Sequence, residues 1–77
     1  MLLRMKTVNI FKTSVRYRKE ANWMISLLET IFPYYKLNFD LDDCDHILRV
    51  ENPNENIPVY EIEVVVRAAG YSCTHLP

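Results

Sequence analysis

The chain has 77 residues, 49% of them apolar and 25% charged, with a formal net charge of −1 and a single glycine. That is one domain with one core, too small for two and too apolar for disorder. Nine Lys and Arg against ten Asp and Glu leave no positive field for a phosphate backbone, which excludes nucleic acid as an expected partner. No apolar run reaches the roughly 18 residues of a membrane span. The opening Met-Leu-Leu-Arg-Met is too short for a signal-peptide core, so no membrane association is expected and a cytoplasmic location is.

Residues 1–5 read as a tail or an alternative start, because regular patterning begins only at Lys6; residues 6–77 then form the single domain. Thr7 to Lys12 alternate as a strand, with Val8 and Ile10 expected on its strongly apolar face and Thr7, Asn9 and Phe11 on the other. A polar run from Lys12 to Lys19 follows. Ala21, Met24, Leu28 and Ile31 recur at spacings of three, four and three, the stripe of an amphipathic helix, which Trp23, Ile25, Leu27 and Phe32 widen. Pro33 supplies the stop.

Leu37, Phe39 and Leu41 alternate with polar neighbours as a half-buried strand, and Asp42-Asp43-Cys44-Asp45 is a turn of the hairpin kind. His46 to Glu51 returns as the partner strand, and residues 52–56 are loop. Pro58 suits the first turn of a second helix, whose apolar face is Ile62, Val65, Val66 and Ala69, with Glu63 and Arg67 as an i,i+4 pair outside. Gly70 stands where a left-handed cap is needed, and Tyr71 to Leu76 closes the chain as a short strand. The order strand, helix, strand, strand, helix, strand predicts an α+β ferredoxin-like βαββαβ sandwich. Its four-stranded antiparallel sheet has the order 4-1-3-2, with both helices on one face. In that fold the loop after the first strand, the hairpin at 42–45 and the turn at Gly70 share one end of the sheet.

The element order, the length and the ending Arg67-Ala68-Ala69-Gly70-Tyr71 resemble the heavy-metal-associated domains of copper chaperones and metal-pumping ATPase tails, over roughly residues 6–76. In that family the loop after the first strand carries Met-x-Cys-x-x-Cys, whose thiolates hold a soft ion. The matching positions here read Thr13-Ser14-Val15-Arg16-Tyr17-Arg18, with Val15 and Arg18 where the cysteines stand. Neither ligates a metal. The resemblance therefore implies the fold without the metal transfer, a scaffold reused for another purpose, with no cofactor and no metal at the usual loop.

Cys44 and Cys73 are too few for a disulfide scaffold, lack zinc or redox spacing and are expected as free thiols. Cys44 with His46, repeated as Cys73 with His75, suggests a Cys2His2 metal site, but the strand order puts the two pairs on opposite sides of the sheet, leaving Cys44 and His46 as weak metal candidates. Lys12, Thr13, Ser14, Arg16, Arg18 and Lys19 form a basic loop at a helix start, suited to a small anion or an acidic partner segment. Facing it, Asp40, Asp42, Asp43 and Asp45 make the hairpin acidic without the pattern of a calcium loop. No nucleophile–base pattern is present, so no enzyme is expected. The third strand lacks the stacking aromatics of an RNA-recognition module. Phe11 and Ile47 are expected at the apolar centre of the outer sheet face, as the contact for an unidentified protein partner or a homodimer.

Overall fold

The computed structural model describes residues 7–52 and 58–77. The expected tail at 1–5 and residues 53–56 of the expected loop lie outside the described residues. The elements are β1 (Thr7–Thr13), α1 (Arg18–Ile31), β2 (Lys36–Asp40), β3 (Ile47–Asn52), α2 (Val59–Ala68) and β4 (Cys73–Leu76). All strand pairs are antiparallel and the sheet order is β2-β3-β1-β4, which is 4-1-3-2 read from the other edge. Both helices contribute to one core laid on the sheet. The expected ferredoxin-like fold is the fold observed.

In α1, Ala21, Met24 and Leu28 are buried, with Ile25 and Leu27 packed beside them. Trp23 and Ile31, expected in the stripe, are about half exposed. Trp23 turns away because one residue along a helix rotates the side chain by about 100°, out of a stripe little wider than that. The helix ends where expected: Phe32 N–H still donates to the Leu28 carbonyl at 2.7 Å, and Pro33 has no N–H with which to continue. In α2, Ile62 and Val66 are fully buried and Val65 and Ala69 pack against the same core. That burial compensates for a run of β-branched residues of modest helix propensity.

The C-terminus of α2 closes in a Schellman turn: Gly70 N–H donates to the Arg67 carbonyl at 3.0 Å and Tyr71 N–H to the Val66 carbonyl at 3.3 Å. Gly70 has φ +100°, a region that side chains resist, and a Cβ there meets nothing within 4 Å. The cost of Gly70→Ala is therefore conformational alone. A loss of about 1–2 kcal/mol in chemical denaturation is expected, with no change in the native contacts.

β1 faces the opposite way from the sequence expectation. Phe11 and Thr13 are buried and Asn9 half-buried, whereas Val8 is exposed. The register sets Phe11 opposite Leu48 and Asn9 opposite Val50 on β3, and both partners are fully buried. Alternation cannot choose a face here, because both faces carry apolar residues. The choice falls to the larger ring, which removes more apolar surface from water. Asn9 is tolerated on the inner face because its Oδ1 meets His75 Nε2 at 2.8 Å. Phe11 is thus a core residue and cannot be an outer-face contact. Ile47 does lie on the outer face, opposite Lys12 of β1 and Asp40 of β2, in a band that includes Val8, Ile10 and Leu76.

Candidate functional site

The three loops expected at one end of the sheet are joined by hydrogen bonds. Thr13 N–H donates to the Asp45 carbonyl at 3.1 Å and Ser14 N–H to the Ser72 carbonyl at 3.3 Å. The Thr13 hydroxyl donates to the His46 carbonyl at 2.6 Å and accepts from Val15 N–H at 3.2 Å. Ser14 Oγ accepts from Ser72 N–H at 2.9 Å. On the helix side, the Tyr71 hydroxyl bonds the Glu20 carboxylate, which with some desolvation raises the phenol pKa. The first loop is therefore tied to the hairpin and to the segment after α2, which fixes the corner where a soft-metal motif would sit.

That corner does not fit a metal. Val15 is fully buried and offers no donor atom, and Arg18 begins α1 as an exposed cation. A thiophilic ion needs two thiolates at these positions and finds a methyl pair and a positive charge. Thr13 and Ser14, expected in an anion or partner loop, are spent on holding the corner together. Arg16, Arg18 and Lys19 remain exposed beside it, and Tyr17 at the start of α1 makes no side-chain cap.

The second Cys-x-His pair is closed to metal. Cys73 is buried, and desolvation with the nearby Glu63 charge pushes its thiol up to about 12, against a smaller opposing effect of Arg67. The thiolate is therefore suppressed at physiological pH. His75 bonds Asn9 and lies 5.3 Å, centroid to centroid, from the Phe11 ring. Cys44 is exposed, yet its cluster is not with His46: Asp43, Cys44 and Asp45 bring one potential ligand atom each within 4.8 Å of one another. His46 takes a positive φ of 45° and donates its N–H to the Asp43 carbonyl at 3.0 Å, so it serves the turn. Within the cluster, Asp43 Oδ1 accepts from Asp45 N–H at 2.8 Å, and Asp45 pairs with Lys12 Nζ at 3.5 Å. Both carboxylates thus have structural partners.

The expected attraction between basic loop and acidic hairpin is realised in that Lys12–Asp45 pair, between two well-exposed side chains, so it orients more than it stabilises. Arg18 shares an open hollow of about 600 Å³ with Asp40, Asp42, Asp43 and Asp45. Arg49 lines it too, so four carboxylates stand against two guanidiniums, and the net acidic lining disfavours a small anion.

Sequence reasoning missed one constellation. The Glu63–Arg67 pair forms, at 3.6 Å, but it faces the edge of β4 and not simply solvent. Arg67 Nε and Nη2 donate to the Cys73 carbonyl at 3.0 and 2.7 Å, and Glu63 Oε2 accepts from His75 N–H at 2.9 Å. The i,i+4 spacing signalled the pair, and only the sheet order shows what it covers.

An antiparallel β2-β3-β1-β4 sheet under two helices defines a ferredoxin-like α+β domain. The corner after β1 carries Thr13, Val15 and Arg18 and no cysteine, and an Asp43-Cys44-Asp45 cluster lies at the neighbouring hairpin. Among solved structures the chain is similar to the N-terminal domain of ZntA, determined in solution in the apo-form. Identity is 16% over 95% of this chain and 96% of that one, with a TM-score of 0.74. At that identity the likeness speaks for the fold. No protein-family model matches the chain, and no curated protein matches it. Among the described residues, no helix is long and apolar enough to cross a membrane.

Proposed function

We propose that this chain is a non-enzymatic domain that keeps the framework of a heavy-metal-associated domain and works by protein contact or self-association in place of metal transfer. The observation that carries the reading is the buried Val15 beside the exposed Arg18 at the corner where two sulfur ligands are required. The outer sheet face supports it further. Val8, Ile10, Ile47 and Leu76 place an apolar band among Lys12, Arg49 and Asp40 on a face that the helices leave uncovered, the mixed surface typical of a contact. A cytoplasmic location agrees with this role.

Zinc and copper analysis of protein purified without chelators tests the reading. Metal well below one ion per chain is expected. About one ion per chain, lost in Cys44→Ser, overturns it in favour of a carrier built on the hairpin cluster. A second reading, a carrier of small anions, has the uncapped start of α1 beside Arg16 and Arg18 in its favour. Its signature is a thermal shift with inorganic phosphate that Arg16→Ala and Arg18→Ala abolish.

A further inference from the structure

The two edges of the sheet are treated differently. In an antiparallel sheet successive residues turn their N–H and C=O groups to alternate sides. On β4 the Lys12–Thr74 register and the bond from Ser14 N–H to the Ser72 carbonyl turn Thr74 toward β1. The backbone groups of Cys73 and His75 therefore point away from the sheet. These are the groups that Arg67 and Glu63 cover: the guanidinium holds the Cys73 carbonyl and the carboxylate holds the His75 N–H. An ion pair on α2 thus takes the place of a neighbouring strand, and the β4 edge is closed to another chain.

The β2 edge has no such cover. The bond from Thr13 N–H to the Asp45 carbonyl fixes the alternation on β1. Through the registers it turns Ile47, Arg49 and Glu51 toward β2, where they face Asp40, Asn38 and Lys36. Leu37 and Phe39 consequently direct their N–H and C=O groups outward. Among the described residues, no side chain meets those groups.

From this asymmetry we infer that β2 pairs edge to edge with β2 of a second copy of this chain, antiparallel and centred on Asn38, to give one continuous sheet. The inference rests on the reading of the domain as a contact module and names the surface and the partner. Lys36-Leu37-Asn38-Phe39-Asp40 is complementary to itself in this register. Leu37 stands opposite Phe39 of the second copy, and each such pair exchanges two N–H···O bonds using the groups left outward. Asn38 stands opposite Asn38, and Lys36 opposite Asp40 of the second copy on the outer face, in both directions. Asp40 Oδ1 is engaged by the N–H groups of Asp42 and Asp43, and Oδ2 is left for the ammonium. Slipping the register by two residues sets one of the two charges against Asn38, so the in-register pairing is the one selected. The two-fold axis runs perpendicular to the sheet, as an isologous antiparallel contact requires, and keeps the helices of both copies on one side. A five-residue strand buries less than the roughly 1,200 Å² of a lasting interface, so the dimer is reversible and weakens with salt.

Sedimentation equilibrium from low micromolar to near-millimolar chain, at low salt, tests the inference. The wild type shifts reversibly from the mass of one chain to that of two. Leu37→Pro, which removes an N–H that the monomer does not use, stays at one chain with an unchanged far-UV circular dichroism spectrum. Lys36→Asp and Asp40→Lys, each with like charges opposed in the homodimer, are also single chains alone. Mixed in equal amounts they reach two chains, because every opposed pair is then of opposite sign. A wild type that remains a single chain throughout overturns the inference, and so does a dimer that persists in Leu37→Pro, or a mixture that fails to associate. If Asp40→Lys loses the turn that Asp40 caps, Lys36→Asp and Leu37→Pro decide alone: loss of the dimer in both supports the pairing, and a dimer in either overturns it. Failure here is separable from failure of the proposed function, which shows as bound metal.

Discussion

Replacing Phe11 by alanine is expected to lower the unfolding free energy by about 3–5 kcal/mol, the range for removing a buried aromatic ring. Phe11 has no exposed surface and lies between Leu48 and His75 in register at the centre of the sheet, so the cavity opens under both helices where little can collapse into it. Stabilities of small domains lie near about 5–15 kcal/mol, and this change removes a large part of that. Val8→Ala, from the outer face of the same strand, is expected to cost no more than about 0.5–1 kcal/mol. Urea denaturation of the two variants checks the face assignment of β1 directly. Equal losses, or a larger loss at Val8, contradict it.

The second large effect is expected at Thr13→Val, which preserves shape and removes one hydroxyl. That hydroxyl is the joint of the corner: it donates to the His46 carbonyl and accepts from Val15 N–H, and Thr13 is only 4% exposed. Its loss leaves an amide hydrogen and a carbonyl without partners where water enters poorly, at a cost of about 1–3 kcal/mol for a group so stranded. A total near 2–3 kcal/mol is expected by urea denaturation. Hydrogen exchange separates this from a general weakening: the amides at residues 13 and 15, which donate within the corner, lose protection relative to Leu48. Uniform loss across the domain contradicts the role given to Thr13.

Much of this fold was legible in the sequence because the periodic signals are long and their stops are chemical. Pro33 and Gly70 end the two helices by the means expected of them, a missing N–H and a left-handed backbone. The corner after β1 was legible too, since element order alone brings that loop beside the hairpin and the segment after α2. The face of β1 was not, because Val8 and Ile10 on one side and Phe11 on the other satisfy alternation equally well. Burial of the larger Phe11 ring decides between them, and the Asn9–His75 bond that makes Asn9 tolerable on the inner face joins the first and last strands, out of reach of local pattern. The Glu63–Arg67 cap was hidden for the same reason: the spacing reveals that the two charges meet, and the carbonyl and N–H they cover belong to a strand that follows in sequence. Clustering of Asp43, Cys44 and Asp45 in place of Cys44 with His46 depends on the left-handed backbone at His46, and turn geometry of that kind leaves little trace in composition.

The function proposed for this chain requires that its ferredoxin-like corner lack the sulfur pair that grips a soft ion while the fold itself could still carry one. Competition for Cu(I) against a chromophoric chelator, run on the wild type and on Val15→Cys/Arg18→Cys, tests it most directly. The account predicts that the wild type leaves the chelator complex intact, while the double variant removes one Cu(I) per chain with the fold retained by circular dichroism. Stoichiometric removal of Cu(I) by the wild type contradicts it.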